Sequence, residues 1–369
     1  MYDSNVSGVL ANAKATLQRL LRGAAHPAGR ENPAGAGEGA GGHMPEALRD
    51  MLKRLPGGDR PGLDLPGIDL SGLSGLGKGR QPDIGPLPEG ATFERLTHSG
   101  AAGSRDYRLY VPGGWRGQQK LPLVVMLHGC TQSPEDFAVG TGMNGLAEEL
   151  GFLVAYPAQS QGANAQKCWN WFRPEDQRHG QGEPALVAGI TREVMARHAV
   201  DPRKVYVAGL SAGGAFAAVM GASYPELYAA VGVHSGLACG SARDVPSAFA
   251  AMRSGDAGTR GGRTVPTIVF HGAQDSTVSP RNGEHVVAQS GGDAKLRLKV
   301  EHGHSAGGMA YSRAQHLDGE GRTVVEHWVV EGAGHAWSGG SAQGSYTEPR
   351  GPKASREMVR FFLGHRVQP

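Results

Sequence analysis

The chain has 369 residues, more than one average domain needs and enough for one large α/β domain with an extension. Hydrophobic residues make up 39%, glycine supplies 59 positions and the net charge is only +3, so nothing points to nucleic acid or an anionic membrane as the main partner. Three cysteines are too few for a disulfide scaffold, and no run reaches the roughly 18 apolar residues that a membrane span requires.

Residues 1–90 read as an N-terminal extension of short amphipathic helices and Gly/Pro-rich linker. Val6, Val9, Leu10, Ala13, Leu17, Leu20 and Leu21 recur at three- and four-residue steps, which predicts one amphipathic helix. Lys14, Arg19 and Arg22 interrupt this segment, so it lacks the apolar core of a secretion signal. A Gly-, Ala- and Pro-rich stretch follows from Gly23 to His43 and predicts a flexible linker. A second short helix is expected over residues 45–55, then a Gly/Pro-punctuated leucine run from Gly62 to Gly79. That arm is expected to be a tether, with contact to a hydrophobic surface as the sharper alternative.

Residues 91–369 read as a catalytic domain. Asp106–Pro112 alternates like a half-buried strand, while Leu121–Gly129 and Phe152–Pro157 are continuous apolar runs like fully buried ones. Helical patterns at Met143–Leu150, Glu183–Ala199 and Ala212–Ser223 alternate with strands at Lys204–Leu210, Ala229–Gly236, Thr267–Gly272 and Val324–Gly332. A last helix is expected at Ala354–His365. Such alternation predicts an α/β fold, a mostly parallel central sheet with helices on both faces. Ligands on such sheets bind at the carboxyl ends of the strands.

Gly209-Leu210-Ser211-Ala212-Gly213 is a G-x-S-x-G turn between a strand and a helix, the context of the α/β-hydrolase nucleophile. Ser211 is the expected nucleophile. In that fold an acid and then a histidine follow in chain order. Asp275 follows the strand Thr267–Gly272 and is the expected acid; Asp244, Asp256 and Asp318 are rivals that follow no clear strand. His335, after the last strand and Gly334, is the expected base. His234 and His271 also stand at strand ends, and His271 reads as a packed or hydrogen-bonded residue. An oxyanion needs two N–H donors. Ala212 should supply one, and the loop after His128-Gly129 the other, from Cys130 or, as runner-up, Thr131. The pair His302-Gly303-His304 reads as a loop, because no acid or cysteine stands at metal-ligand spacing. No metal or organic cofactor is expected.

The motifs HGCTQSPEDF, GFLVAYPAQS, KCWNWF, GQGEPALV, GLSAGG, FHGAQDSTV and GAGHAWSGG occur in that order. Together they resemble the poly(3-hydroxybutyrate) depolymerase-like esterases of the α/β-hydrolase superfamily, to which feruloyl and acetylxylan esterases are related. The resemblance runs over about residues 92 to 365. It implies hydrolysis of a polyester, an oligoester or an acylated saccharide by Ser211, Asp275 and His335, with Cys130 on the oxyanion loop. It implies an extracellular enzyme, with the cytoplasm as the alternative because no secretion signal is recognisable. Cys130 and Cys168 fall in two of the shared motifs, either as a disulfide or as free buried thiols. Trp337, with Trp169 or Trp171, is expected to line an acyl or alcohol pocket; the other aromatics, Phe172 among them, would be core. A non-catalytic binding protein on the same scaffold is the competing class.

Overall fold

The computed structural model describes residues 84–259, 264–292 and 294–367. The two expected N-terminal helices, the linker and most of the 1–90 extension lie outside the described residues. Among the described residues twelve strands, seven α-helices and one short 3-10 helix build the fold, and the sheet decides where everything else sits.

Ten strands form one sheet in the order β1-β2-β4-β3-β5-β6-β7-β10-β9-β8. Its parallel centre is β4 (Leu153–Pro157), β3 (Leu121–Leu127), β5 (Val200–Leu210), β6 (Ala230–His234), β7 (Thr267–Gly272) and β10 (Thr323–Val330). The hairpin of β1 (Thr92–Gly100) and β2 (Gly103–Val111) is added antiparallel at one edge. The hairpin of β8 (Arg297–His304) and β9 (Ala310–Leu317) closes the other. A separate two-stranded pair joins β11 (Trp337–Ser338) to β12 (Thr347–Glu348).

The apolar runs are buried on both faces because helices cover both. In β3, Leu123, Val125 and Leu127 join one core cluster while Val124 and Met126 join the other. The first cluster lies under α3 (Gly182–Arg197) and α4 (Ala212–Ser223), through Ile190, Val194, Phe216 and Met220. Residues of α5 (Val245–Ser254) and α6 (Arg281–Gly291) extend it. The second lies under α1 (Pro134–Thr141), α2 (Met143–Leu150) and α7 (Ala354–Leu363), through Phe137, Leu146, Met358 and Phe362. Local chemistry sets the helix starts. Ser133 caps α1 by accepting from Asp136 N, with Pro134 next, and Asp244 and Ser247 form a reciprocal capping box on α5.

One sequence expectation is corrected here. His302 and His304 stand on β8, not on a loop, and among the described residues no group of three or more His, Cys, Asp or Glu could hold a metal ion. The β8–β9 hairpin escapes periodicity because its strands are exposed or half-buried along their whole length, which erases the apolar alternation. Among the described residues no helix is long and apolar enough to cross a membrane.

One buried carboxylate ties that hairpin to the core. Glu326 on β10 is fully buried and accepts from both Nε and Nη2 of Arg313 on β9, at 3.0 and 3.1 Å. It also accepts from Trp328 Nε1 at 2.7 Å and from Arg360 on α7. Removing one partner of a buried ion pair is costly because the remaining charge loses its compensation. Glu326→Ala should therefore destabilise the protein by about 3 kcal/mol, read as a lower urea midpoint; a change within about 0.5 kcal/mol would mean that the guanidiniums find water instead.

Candidate active site

The turn that carries Ser211 is held in a strained conformation. Ser211 has φ 58 and ψ −120, a conformation that a residue bearing a Cβ adopts only under compulsion. The compulsion is steric. A Cβ on Gly213 would stand 2.0 Å from the Leu127 carbonyl oxygen, and one on Gly209 would stand 2.3 Å from the Gly213 oxygen. The two glycines let the ends of β3, β5 and α4 meet with backbone against backbone. Ser211 N–H donates to the His234 carbonyl at 2.9 Å, which pins the turn to β6. Ala212 opens α4, so its N–H is one of the unpaired donors at the positive end of the helix.

Asp275 and His335 are brought together. His335 Nδ1 lies 2.7 Å from Asp275 Oδ2, on two loops that Gln274 N–H joins by donating to the Ala333 carbonyl. The other carboxylate oxygen accepts from the N–H groups of Thr277 and Val278 at 2.9 and 2.8 Å. His271 Nε2, 3.4 Å from Oδ2, also lies 2.9 Å from the Val278 carbonyl. Burial alone would raise the Asp275 pKa; the hydrogen bonds from His271 and His335 outweigh it and hold the carboxyl well below its ordinary value. The acid is thus a fixed anion. With Nδ1 donating to it, the His335 imidazole presents Nε2 as an acceptor.

Ser211 Oγ and the His335 imidazole make no direct hydrogen bond in this structure; such contacts commonly tighten only when substrate is bound. His234 links the two regions. Its carbonyl holds Ser211 N–H, and its Nε2 accepts from Ser338 N–H at 2.9 Å, three residues after the base. Burial, with the neighbouring imidazoles of His271 and His335, lowers the His234 pKa to about 3, so the ring stays a neutral brace.

The oxyanion loop stands beside the serine: a Cβ on Gly129 would lie 3.7 Å from Ser211 Cβ. Among the described residues, Cys130 N–H has no hydrogen-bond partner. Thr131 N–H, in contrast, donates to the Gln166 carbonyl at 2.6 Å. The runner-up donor is therefore already committed to holding the loop. A disulfide joins Cys130 to Cys168, with an S–S distance of 2.07 Å. His128 anchors the loop from below: burial lowers its pKa to about 4, Nδ1 bonds the Gly129 carbonyl and Nε2 accepts from Gln159 N–H. Cys239 is a free, buried thiol whose pKa burial raises to about 11.

The tryptophans are corrected to supports. Trp169 is fully buried, stacks on Phe216 and donates to the His128 carbonyl at 3.1 Å, directly beneath the oxyanion loop. Trp337 is equally buried, stacks on His234 and donates to Ser355 Oγ at 3.0 Å. Trp171 packs edge-on against Phe172, both in the core. Their faces are consumed by packing. The rival acids have local work: Asp244 caps α5, Asp256 accepts from Gly258 N–H, and Asp318 pairs with Arg322 in the β9–β10 turn.

The close approach at Gly213 gives a sharp expectation. Gly213→Ala places a methyl against backbone that cannot yield, and the loss should exceed about 3 kcal/mol, visible as a collapse of folded, soluble yield. A thermal midpoint within a few degrees of the parent would show that the turn can relax.

Comparison with known proteins places this geometry. The esterase PHB depolymerase family matches residues 105–298. Poly(3-hydroxyalkanoate) depolymerase C of Paucimonas lemoignei is 34% identical over 240 residues, covering 61% of this chain and 57% of that protein. Feruloyl esterase B of Thermothelomyces thermophilus is 29% identical over 235 residues, covering 58% of this chain and 78% of the relative. The chain thus spans little more than half the length of that depolymerase. Among solved structures, an acetyl xylan esterase from Aspergillus awamori superposes with a TM-score of 0.54 at 21% identity, over 74% of this chain and 99% of that one, which is a likeness of fold. With a doubly covered, mostly parallel sheet and a family match over more than half its length, the chain has the α/β-hydrolase fold and belongs to the esterase PHB depolymerase family.

Proposed function

We propose that the protein is a serine carboxylic-ester hydrolase acting through an acyl-enzyme on hydroxyalkanoate polyesters or their oligomers. The observation that carries this reading is the 2.7 Å bond between His335 Nδ1 and a buried, ionised Asp275, two strands along the sheet from a serine held at φ 58. That bond sets the tautomer a general base requires. Nε2 takes the Ser211 proton as Oγ bonds to the ester carbonyl carbon. The carbonyl electron pair moves onto oxygen, where the N–H groups of Cys130 and Ala212 receive it. Collapse breaks the ester C–O bond, and the leaving oxygen takes the proton from Nε2. Water, deprotonated by the same nitrogen, then attacks the acyl-enzyme, releasing the acid and restoring Ser211. Asp275 stays ionised and stabilises each imidazolium as it forms.

A second reading shares the mechanism and changes the substrate. The match to a feruloyl esterase over 78% of that relative's length favours acyl groups on plant polysaccharide as the alternative. Clearing of a poly(3-hydroxybutyrate) suspension, run beside a short p-nitrophenyl ester, an acetylated xylan and a feruloyl ester, separates the two. Ser211→Ala should lower turnover by about 10³-fold or more and abolish labelling by an organophosphonate. Near-normal turnover would strike the assignment, and no activity on any ester would favour a binding protein on this scaffold.

Asp275 gives a linked test of pH. Its folded pKa lies below its unfolded value, so its stabilising contribution is present above about pH 4 and fades as the pH falls through the folded value. The stability difference between the parent and Asp275→Asn should accordingly be full at pH 7 and shrink below pH ~4, while kcat falls by about 10⁴-fold at neutral pH. A stability difference that is constant from pH 7 to pH 3 would show that the carboxylate is not held as described.

A further inference from the structure

We infer that Tyr346 is a substrate-contacting residue, an aromatic platform at the rim of the oxyanion loop for the apolar or aryl segment that flanks the scissile carbonyl. This rests on the ester-hydrolase reading above and adds a specificity residue to it.

Tyr346 does nothing for the core that a smaller residue could not do. It is 43% exposed, one of the few large hydrophobic side chains that the described surface leaves open. Its backbone sits at φ 52, in the left-handed region where a bulky side chain is an outlier and glycine is the residue of choice. A strained, exposed tyrosine is stabilised by neither its conformation nor its burial.

The surrounding structure forces that conformation from both sides. Ser345 N–H donates to Asp136 Oδ1 at 2.9 Å, and the Ser345 hydroxyl donates to the other oxygen of the same carboxylate. The Tyr346 carbonyl accepts from Trp337 N–H at 2.7 Å, two residues after the proposed base. Gln132 then joins this loop to the oxyanion loop. Its carbonyl oxygen accepts from Gly129 N–H at 2.9 Å, and its amide nitrogen donates to Asp136 at 2.9 Å and to the Ser345 carbonyl at 3.2 Å.

The phenol reaches the same place. Thr131 Oγ1 donates to the Cys130 carbonyl at 2.6 Å, so its single proton is spent and it accepts from the Tyr346 hydroxyl at 3.3 Å. The ring is therefore moored beside the residue whose N–H faces the developing oxyanion. The tryptophans expected to line a pocket are buried, and Tyr346 is the aromatic left facing solvent along this loop. An exposed ring moored one residue from the oxyanion donor offers its face to whatever extends from the carbonyl carbon or the ester oxygen.

The test uses the full chain and two series of p-nitrophenyl and alkyl esters. One lengthens the acyl group from acetyl to octanoyl and cinnamoyl at fixed alcohol; the other lengthens the alcohol at fixed acetyl. In Tyr346→Gly, the kcat/KM ratio of the longest or aryl member to the shortest should fall about tenfold in one series, which names the side of the ester that the ring serves. The thermal midpoint should stay equal or rise, because glycine relieves the positive φ. Tyr346→Phe keeps the ring and should keep most of the selectivity. Unchanged ratios in both series would overturn the proposal. So would a Tyr346→Phe variant that behaves like Tyr346→Gly, since the effect would then pass through the hydroxyl to Thr131. Failure of the parent on every ester would instead strike the hydrolase reading itself.

Discussion

The structure depends on one close approach, the meeting of β3, β5 and α4 without side chains between them. A methyl on Gly213 would overlap the Leu127 carbonyl, so the turn that carries Ser211 exists only because residues 209 and 213 have none. That contact sets the height of the serine above the sheet. It also places the start of α4 beside the loop that leaves β3. The strain stored in φ 58 at Ser211 is sustained by interactions that surround it, the His234 carbonyl above all.

The rings of His128, His234 and His271 and the Asp275 carboxylate are buried around this turn, and hydrogen bonds fix all four. His128 braces the oxyanion loop from one side, and His234 braces the nucleophile and the segment after His335 from the other. Burial keeps both rings neutral at physiological pH, which suits them to fixed hydrogen bonds rather than proton transfer. Asp275 is the opposite case, a buried anion that three donors hold, with His271 Nε2 at 3.4 Å. Burial and hydrogen bonds thus leave the buried groups in opposite states, an ionised acid and neutral braces.

The oxyanion loop has the most attachments. A disulfide to Cys168, the Thr131 N–H bond to Gln166, and the amide of Gln132 reaching Asp136 and Ser345 each restrain it from a different direction. In the proposed mechanism a donor contributes most when it does not have to reorganise, and these restraints would hold it still. Gln132 and Asp136 also couple the loop to Ser345 in the segment that follows His335.

Much of this was legible in the residues. Continuous apolar runs marked the buried strands, because a strand covered on both faces must be apolar throughout. The spacing of Gly209, Ser211 and Gly213 announced the turn, and the strand ends pointed to Asp275 and His335, which the fold brings within 2.7 Å. The exposed β8–β9 hairpin was not legible, since no core face imposes a period on it. Nor were the full burial of Trp169 and Trp337 and the exposure of Tyr346. Residue types and their order state which chemistry is available at the end of each strand. Which N–H is left free, and which ring faces out, depends on partners that lie up to 215 positions away in the chain and meet only in the folded protein.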